Sequence, residues 1–444
     1  MGPGPDCAKL LHMTTTSEFD ILVVGGGAAG LTATALFAQE GFRTLCVDRT
    51  APVLDPARNE ADLRTTALLG SSLDTLRRAG AWEALAPHAT ELATMRMVDA
   101  GGRPVDGEDE GDSERNGAGA ARVRGPATVD FTAAEIDRPA FGVNVANTDL
   151  RAALLGRVET LPAAELRAPV EIRHLLFRED AAFATLSDGT RVRAKLVVAA
   201  DGRASQVREQ LGLRVRRIDY PQQAMVFVVA HAAPHQNVST EILRTGGPFT
   251  LVPFRDSADG EHRSSVVWME SNTETDRLMA LDDAGFEAAA NERSQGVLGH
   301  LRLASRRVAW PMVSMIADRW HARRAALIAE SAHVVPPVGA QGLNMSLKDA
   351  ETLLDLLIEA RAAGRDIGEE AHLARYTKAR WPDAAARVAT TAALNQATIG
   401  AFAPVRDLRR LGLRAVAGLT PVKQLAMRFG MGGETLGDAA RGSR

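Results

Sequence analysis

Phe19–Val24 is a short, mostly apolar run with the length and β-branched content of a buried strand. Three glycines follow, and Ala28–Glu40 then reads as a helix, with Arg43–Val47 as the next strand. The chain therefore opens as a strand–helix–strand unit. The span from Phe19 to Ala38 is apolar enough to suggest a membrane helix, but the glycines break it in the middle. Further on, 62–85 reads as an amphipathic helix, Met95–Asp99 as a strand leaving the first domain, and Val129–Ile136 as a strand beyond it. Asp149–Thr160 predicts a helix and Val192–Ala199 a buried strand. Strand patterns alternate over 216–308, among them Ala224–Ala230 and Ser264–Trp268, with one helix near 280–301. A strand, loop and helix run from Leu327 to about Ala360, and about 382–430 reads as helical. No internal repeat is visible.

Composition narrows the class. The 444 residues suffice for two or more domains, and 45% hydrophobic with 24% charged residues is ordinary for a soluble globular chain. A net charge of −3 argues against a nucleic-acid partner. Two cysteines, Cys7 and Cys46, make neither a disulfide framework nor a cysteine-rich metal site, so no metal is expected and a reducing cytoplasm is the natural home. Residues 1–17 lack the apolar core of a signal peptide and read as a loose extension. The stretch 101–126 is rich in glycine and acids and buries too little to order itself, which predicts a mobile insertion between two strands.

The strongest chemistry follows the first strand. Gly25-Gly26-Gly27-Ala28-Ala29-Gly30 fits G-x-G-x-x-G: the first glycine for the tight turn, the second for close approach of a pyrophosphate, the third for helix–strand packing. The helix N-terminus offers free N–H groups and a positive dipole end to the anion. Asp48 ends the next strand, 18 residues after Gly30, where an acid accepts hydrogen bonds from a ribose; Arg49 beside it is counted with the site. An acid there fits FAD or NAD and fits a 2′-phosphate poorly.

Two later segments decide between cofactors. Val197–Arg208 carries Asp201-Gly202 after a strand, and Ala326–His333 leads into Val334-Val335-Pro336-Pro337-Val338-Gly339-Ala340-Gln341-Gly342-Leu343-Asn344. With the glycine motif, these resemble the signatures of group A flavin monooxygenases, the para-hydroxybenzoate hydroxylase-like family. Asp62-Leu63-Arg64-Thr65-Thr66-Ala67-Leu68, Gly247–Phe254 and Ser264–Trp268 resemble elements of its ubiquinone-biosynthesis hydroxylases. The resemblance covers about 19–430. Two departures stand out: the family's Gly-Asp is Ala329-Glu330 here, and its Gly-Gln-Gly is Ala340-Gln341-Gly342.

The resemblance implies an α/β fold. A discontinuous Rossmann-type FAD-binding domain would come from 19–93, 141–215 and 308–381, a β-rich substrate domain from 94–140 and 216–307, and a C-terminal helical region from 382–444. It implies a flavin-centred hydroxylation through a C4a-hydroperoxide, with O2 as oxidant and NAD(P)H or another electron donor. The substrate would be a hydrophobic aromatic quinone precursor, a polyprenylated ubiquinone intermediate. Pro337, Gly339 and Gln341 would lie near the isoalloxazine, with Ala340, Gly342, Leu343 and Asn344 completing that loop. Gly25, Gly27, Ala28, Ala29, Gly30, Asp48, Arg49, Arg64, Asp201 and Glu330 would hold the rest of the cofactor.

Several residues carry two readings. Arg64 is a flavin contact or a surface arginine, and Asn147 is a helix cap with a ribityl contact as the extra role. Val170 touches adenine or is a core valine. His333, with no carboxylate partner visible in sequence, reads as structural. Phe249, Leu251, Val252, Phe254 and Trp268 are candidates for an apolar substrate pocket or ordinary sheet core. Six cations against one acid between Ala403 and Gly430 fit a helix lying on an anionic membrane or a biosynthetic complex, or one packed on the core. That would place a cytoplasmic protein at the periphery of the inner membrane. The alternatives in function are hydroxylation of another aromatic or polyketide substrate, an FAD oxidoreductase of the prenyl reductase type, and a non-catalytic flavin-binding scaffold.

Overall fold

The computed structural model describes residues 16–99, 127–244 and 246–399, with residues 423, 424 and 427. The expected insertion at 101–126, most of the N-terminal extension and most of 403–430 lie outside the described residues. The first half runs β1 (Thr16–Val24), α1 (Ala28–Gln39), β2 (Thr44–Val47), β3 (Thr65–Leu69), α2 (Gly70–Arg78), α3 (Trp82–Leu85), β4 (Thr90–Leu92), β5 (Thr94–Asp99), β6 (Ala127–Thr132), β7 (Gly142–Ala146), α4 (Asn147–Thr160), β8 (Ala164–Arg167), β9 (Ile172–Phe177), β10 (Ala182–Leu186), β11 (Arg191–Ala199) and α5 (Gln206–Gln210). The second runs β12 (Val215–His231), β13 (Val238–Arg244), β14 (Gly247–Phe254), β15 (His262–Ser271), α6 (Asn272–Met279), α7 (Asp283–Ser294), β16 (Arg302–Leu303), β17 (Val308–Ala317), β18 (His321–Ala322), β19 (Ala325–Leu327), β20 (His333–Val334), α8 (Gln341–Ala362) and α9 (Glu370–Ile399).

The first sheet is ordered β18, β19, β11, β1, β2, β8, with β9 and β10 added beside β11. β8, β2, β1, β11 and β19 are parallel neighbours. Such strands are covered on both faces and therefore mostly apolar, as β2 is, all four of its residues being buried and Thr44 turning its hydroxyl to the Phe42 carbonyl. Helix α1 shows no polar side because it packs against α4 and α8 as well as the sheet, burying Leu31, Leu36 and Phe37.

The second sheet is ordered β20, β17, β12, β15, β14, β13, β5, β6, with β16 beside β12. One of its faces lies under α6 and α7, where Phe227, Phe249, Trp268 and Phe286 form a core; Phe227 and Phe286 meet nearly edge to face at 5.0 Å. A third, small antiparallel sheet joins β3, β7 and β4.

Several expectations are corrected. The 62–85 segment is not one helix: Thr65–Leu69 is strand β3, paired to β7, and the helix begins only at Gly70. The β-branched Thr65 and Thr66 suit that pairing. Strand β6 stops at Thr132, where Thr132 and Glu135 form a capping box over a short 3₁₀ turn. The helix expected near 280–301 is α7, ending earlier at Ser294, and a further helix, α6, precedes it where none was expected. The 307/308 boundary falls before β17, yet β17 pairs with β12 and belongs to the second sheet. The 381/382 boundary falls inside α9, which carries Pro382 without ending.

Candidate functional site

At the end of β1 the three motif glycines hold separate duties. Gly25 has φ +110°, and a Cβ there would sit 2.3 Å from the Ala200 carbonyl oxygen. A Cβ on Gly30 would sit 1.8 Å from the Gly25 oxygen, so helix and turn touch through hydrogen alone. A Cβ on Gly27 would meet nothing within 4 Å. Gly27 is also the N-cap of α1, and no side chain caps that end. The backbone of Ala28 and Ala29 thus opens onto free space with its dipole aimed outward, the arrangement that takes a phosphate.

Asp48 is placed by β2. Its Oδ2 accepts the Gly26 N–H at 2.6 Å, and its Oδ1 accepts from the Thr50 N–H and hydroxyl, each at 2.8 Å. The carboxylate shapes the glycine turn and keeps one Oδ2 lone pair for a ribose hydroxyl. Val170 packs its side chain on the core, as one of its two readings has it, and its N–H donates to the Asp48 carbonyl at 2.7 Å, which sets it beside the expected adenosine end. Arg49 is exposed.

The second and third motifs close on the first. The Ala200 N–H donates to Val24 O at 2.7 Å, and the Ser331 hydroxyl donates to Ala199 O at 2.7 Å. Arg203 Nε lies 3.3 Å from Glu330 Oε2, and Glu330 in turn acts on the charge of Arg64. One oxygen of Asp201 accepts the Val207 N–H at 3.2 Å. The other, Oδ1, is buried and has no hydrogen-bond partner among the described residues, and burial pushes the carboxyl above its ordinary value against the hydrogen bonds from Ser205 and Val207. An orphaned buried acceptor beside an uncapped helix end fits a hydroxyl-bearing dinucleotide.

The two departures from the family pattern each put an alanine in the left-handed region. Ala329 and Ala340 both adopt left-handed angles, φ +57° and +55°, next to Gly339 at +65°. Asp349 on α8 accepts the Ala329 N–H at 3.1 Å and also holds His333 Nε2 at 2.6 Å and Arg380 Nε at 2.9 Å. Burial alone would raise the Asp349 carboxyl, but His333 and Arg380 hold it below its ordinary value. His333 does have a carboxylate partner, hidden from the sequence because it comes from the next helix. The chain of pairs continues: Arg380 to Asp383 at 3.0 Å, Asp383 to Arg387 at 3.0 Å, and Arg387 to the Gln341 side chain at 2.8 Å. It fixes the start of α8, where Pro337, Gly339 and Gly342 are exposed and Ala340 and Leu343 half-buried.

The Asp62–Leu68 segment is bound to this loop. Asn344 donates to Ala67 O at 2.8 Å and accepts the Leu69 N–H at 2.9 Å, pairing the free edge of β3. Arg64 makes a two-pronged pair with Asp62 and lies over the Trp310 ring at 4.6 Å. Asn147 does not cap its helix; the N-cap is Ala146. Instead its amide accepts from Thr66 at 2.6 Å and donates to Asp62 at 2.8 Å.

Sheet register splits the expected substrate lining. Phe249, Leu251 and Trp268 face α6 and α7 in the core, away from the loop. Thr250, Val252 and Val267 alternate with them and take the opposite face. There Val338 of the loop and Val267 pack on a cluster of Tyr220, Ala224, Met269 and Met312. Phe254 shares that parity, at the far end of the strand. Of the basic stretch 403–430, Lys423 is described, and it pairs with Glu135 at 2.7 Å. Among the described residues no helix is long and apolar enough to cross a membrane.

Comparison with known proteins agrees with this geometry. The profile of the FAD binding domain family matches residues 18–391. A ubiquinone hydroxylase, UbiL, of Rhodospirillum rubrum is 35% identical over 94% of this chain and 90% of its own. The 3-demethoxyubiquinol 3-hydroxylase of Escherichia coli is 27% identical over 94% of this chain and all of its own, 100%. Among solved structures, p-nitrophenol 4-monooxygenase from Pseudomonas putida superposes with a TM-score of 0.73 at 17% identity, covering 95% of this chain and 100% of that one, which speaks for the fold alone.

Proposed function

The chain belongs to the FAD binding domain family, and on that footing we propose that it inserts one atom of O2 into the aromatic ring of a polyprenylated ubiquinone precursor. The observation that carries this reading is the meeting of two surfaces: the exposed backbone of Pro337–Gly342 on one side, and the Val267 face of the second sheet on the other. Relatives named as ubiquinone hydroxylases support the choice of substrate.

In this reading the first turn of α1 takes the pyrophosphate, Asp48 the adenosine ribose, and Asp201 Oδ1 a hydroxyl of the same cofactor. Bound FAD, reduced by NAD(P)H or another donor, supplies the oxygen-transfer chemistry. The start of α8 would offer its N–H groups to a bound flavin and to the negative charge it gains on reduction. Arg387 holds Gln341, and Asn344 ties the loop to β3, so that the loop is fixed before reaction. The second sheet supplies an apolar wall that excludes water and admits a prenylated ring.

The test is complementation of a strain lacking a ubiquinone-pathway hydroxylase, scored by quinone content under 18O2. Restored quinone carrying one labelled oxygen is expected. Flavin-loaded, well-expressed protein that restores nothing, or label arriving from water, overturns the reading.

A further inference from the structure

The Val267 face of the second sheet mixes apolar residues with Thr250, Ser239, Ser265, Arg263 and Asp99, and it carries Glu241. Glu241 on β13 pairs in register with Thr250 on β14 and Met97 on β5, and Thr250 pairs with Val267. Its neighbour Ile242 is fully buried in the α6–α7 core, so alternation turns Glu241 to the opposite face, the one the Pro337–Gly342 loop packs against. On that face Glu241, Thr250, Val252 and Val267 are only half-buried, whereas Leu243 and Met269, one step along their strands, are covered. The half-buried positions mark where the protein leaves room.

Glu241 has no hydrogen bond or ion pair from any described residue, and burial alone pushes its carboxyl up to about 7. An acid partly withdrawn from water and left without a partner ionises at a cost. The ligand is the natural source of what it lacks. Aromatic rings open to electrophilic oxygen carry a hydroxyl, and a carboxylate is the acceptor for that group.

Resting on the hydroxylase reading above, we infer that Glu241 is the catalytic residue that receives the phenolic hydroxyl of the substrate, accepting its hydrogen bond and then its proton. The O–H bond breaks, the proton passes to a Glu241 carboxylate oxygen, and the electron pair stays on the phenolate oxygen, from which it enriches the ring carbons ortho and para to it. A group titrating near neutrality is suited to take and return such a proton. The rest of the wall, Val267, Val252 and Met97 among it, contacts the prenylated body of the ligand without competing for the hydroxyl.

The test uses the FAD-loaded full chain with two probes, 2-farnesylphenol and its O-methyl ether, titrated through the flavin absorbance. Wild type is expected to prefer the phenol by about tenfold or more, as a hydrogen bond to a charged group predicts. Glu241→Leu should bind both probes alike, with FAD affinity unchanged. Glu241→Gln, nearly isosteric, should retain part of the preference yet hydroxylate about 100-fold more slowly, because it accepts no proton. If Glu241→Leu or Glu241→Gln keeps both the wild-type preference and the wild-type rate, the inference is overturned while the hydroxylase reading stands. Wild type that neither binds nor hydroxylates the phenol overturns both.

Discussion

Ala329 and Ala340 occupy angles that a Cβ disfavours, and both flank the loop expected at the flavin. A left-handed residue with a side chain costs about 1–2 kcal/mol, and glycine returns about 0.5–1 kcal/mol of that through its freer unfolded chain. Ala329→Gly and Ala340→Gly should therefore each stabilise the protein by about 0.5–1 kcal/mol, read as a higher denaturation midpoint at unchanged slope. A lower midpoint for either would show that the alanine methyl makes a contact worth more than the strain. Gly27 presents the converse case. Its open side is where an anion would approach, so Gly27→Asp sets a negative charge and bulk against a pyrophosphate. The purified variant should be colourless and stay apo after incubation with FAD, while wild type is yellow. A flavin-loaded variant would remove the turn from the site.

At the scale of elements, legibility followed locality. Strand β1, the glycine turn and α1 are adjacent in sequence, and hydrophobic pattern plus turn chemistry gave α1 to within a residue and the end of β1, while β1 begins at Thr16, inside the expected extension and before the apolar run at Phe19. Strand β3 misled because its partners are distant: β7 pairs it from one side, and Asn344, 275 residues away, satisfies the Leu69 N–H from the other. The pattern of 62–69 holds no trace of either. The Asp349–His333 pair was invisible for the same reason. The apolar positions of β14 and β15 were readable as a set, but not which parity faced the loop, since both faces of that sheet are covered over much of their area. Asn344→Ala tests the clamp. It leaves buried backbone groups of β3 unpaired, at about 1–3 kcal/mol, and frees the start of α8. A lower midpoint together with weaker FAD binding is expected. A midpoint loss with unchanged FAD affinity would confine Asn344 to holding the fold together.

Across the whole molecule, two sets of buried groups pull stability in opposite directions with pH. His231 and His235 lie together near the end of β12, with rings 6.4 Å apart. Burial lowers the pKa of both. In the unfolded chain each titrates near about 6.5, so below that pH the unfolded state binds more protons and stability falls as the medium is acidified. Glu241 works the other way. Its folded value of about 7 exceeds the ordinary 4.5, so between those values the fold binds the extra proton. Its penalty is absent at the low end of that window and grows as pH rises through the folded value. Glu241→Gln removes that penalty. In the substrate-free protein it should raise stability at pH 8 by about 2–3 kcal/mol, the difference shrinking toward zero near pH 5. His231→Gln with His235→Gln should show the mirror image: little difference from wild type at pH 8, and a growing advantage as pH falls below about 6.5. Denaturant midpoints at four or five pH values, with all variants compared at equal FAD loading, separate the two slopes. A Glu241→Gln difference independent of pH would mean that the carboxyl keeps its ordinary value, and that the cavity face of the sheet is open to water.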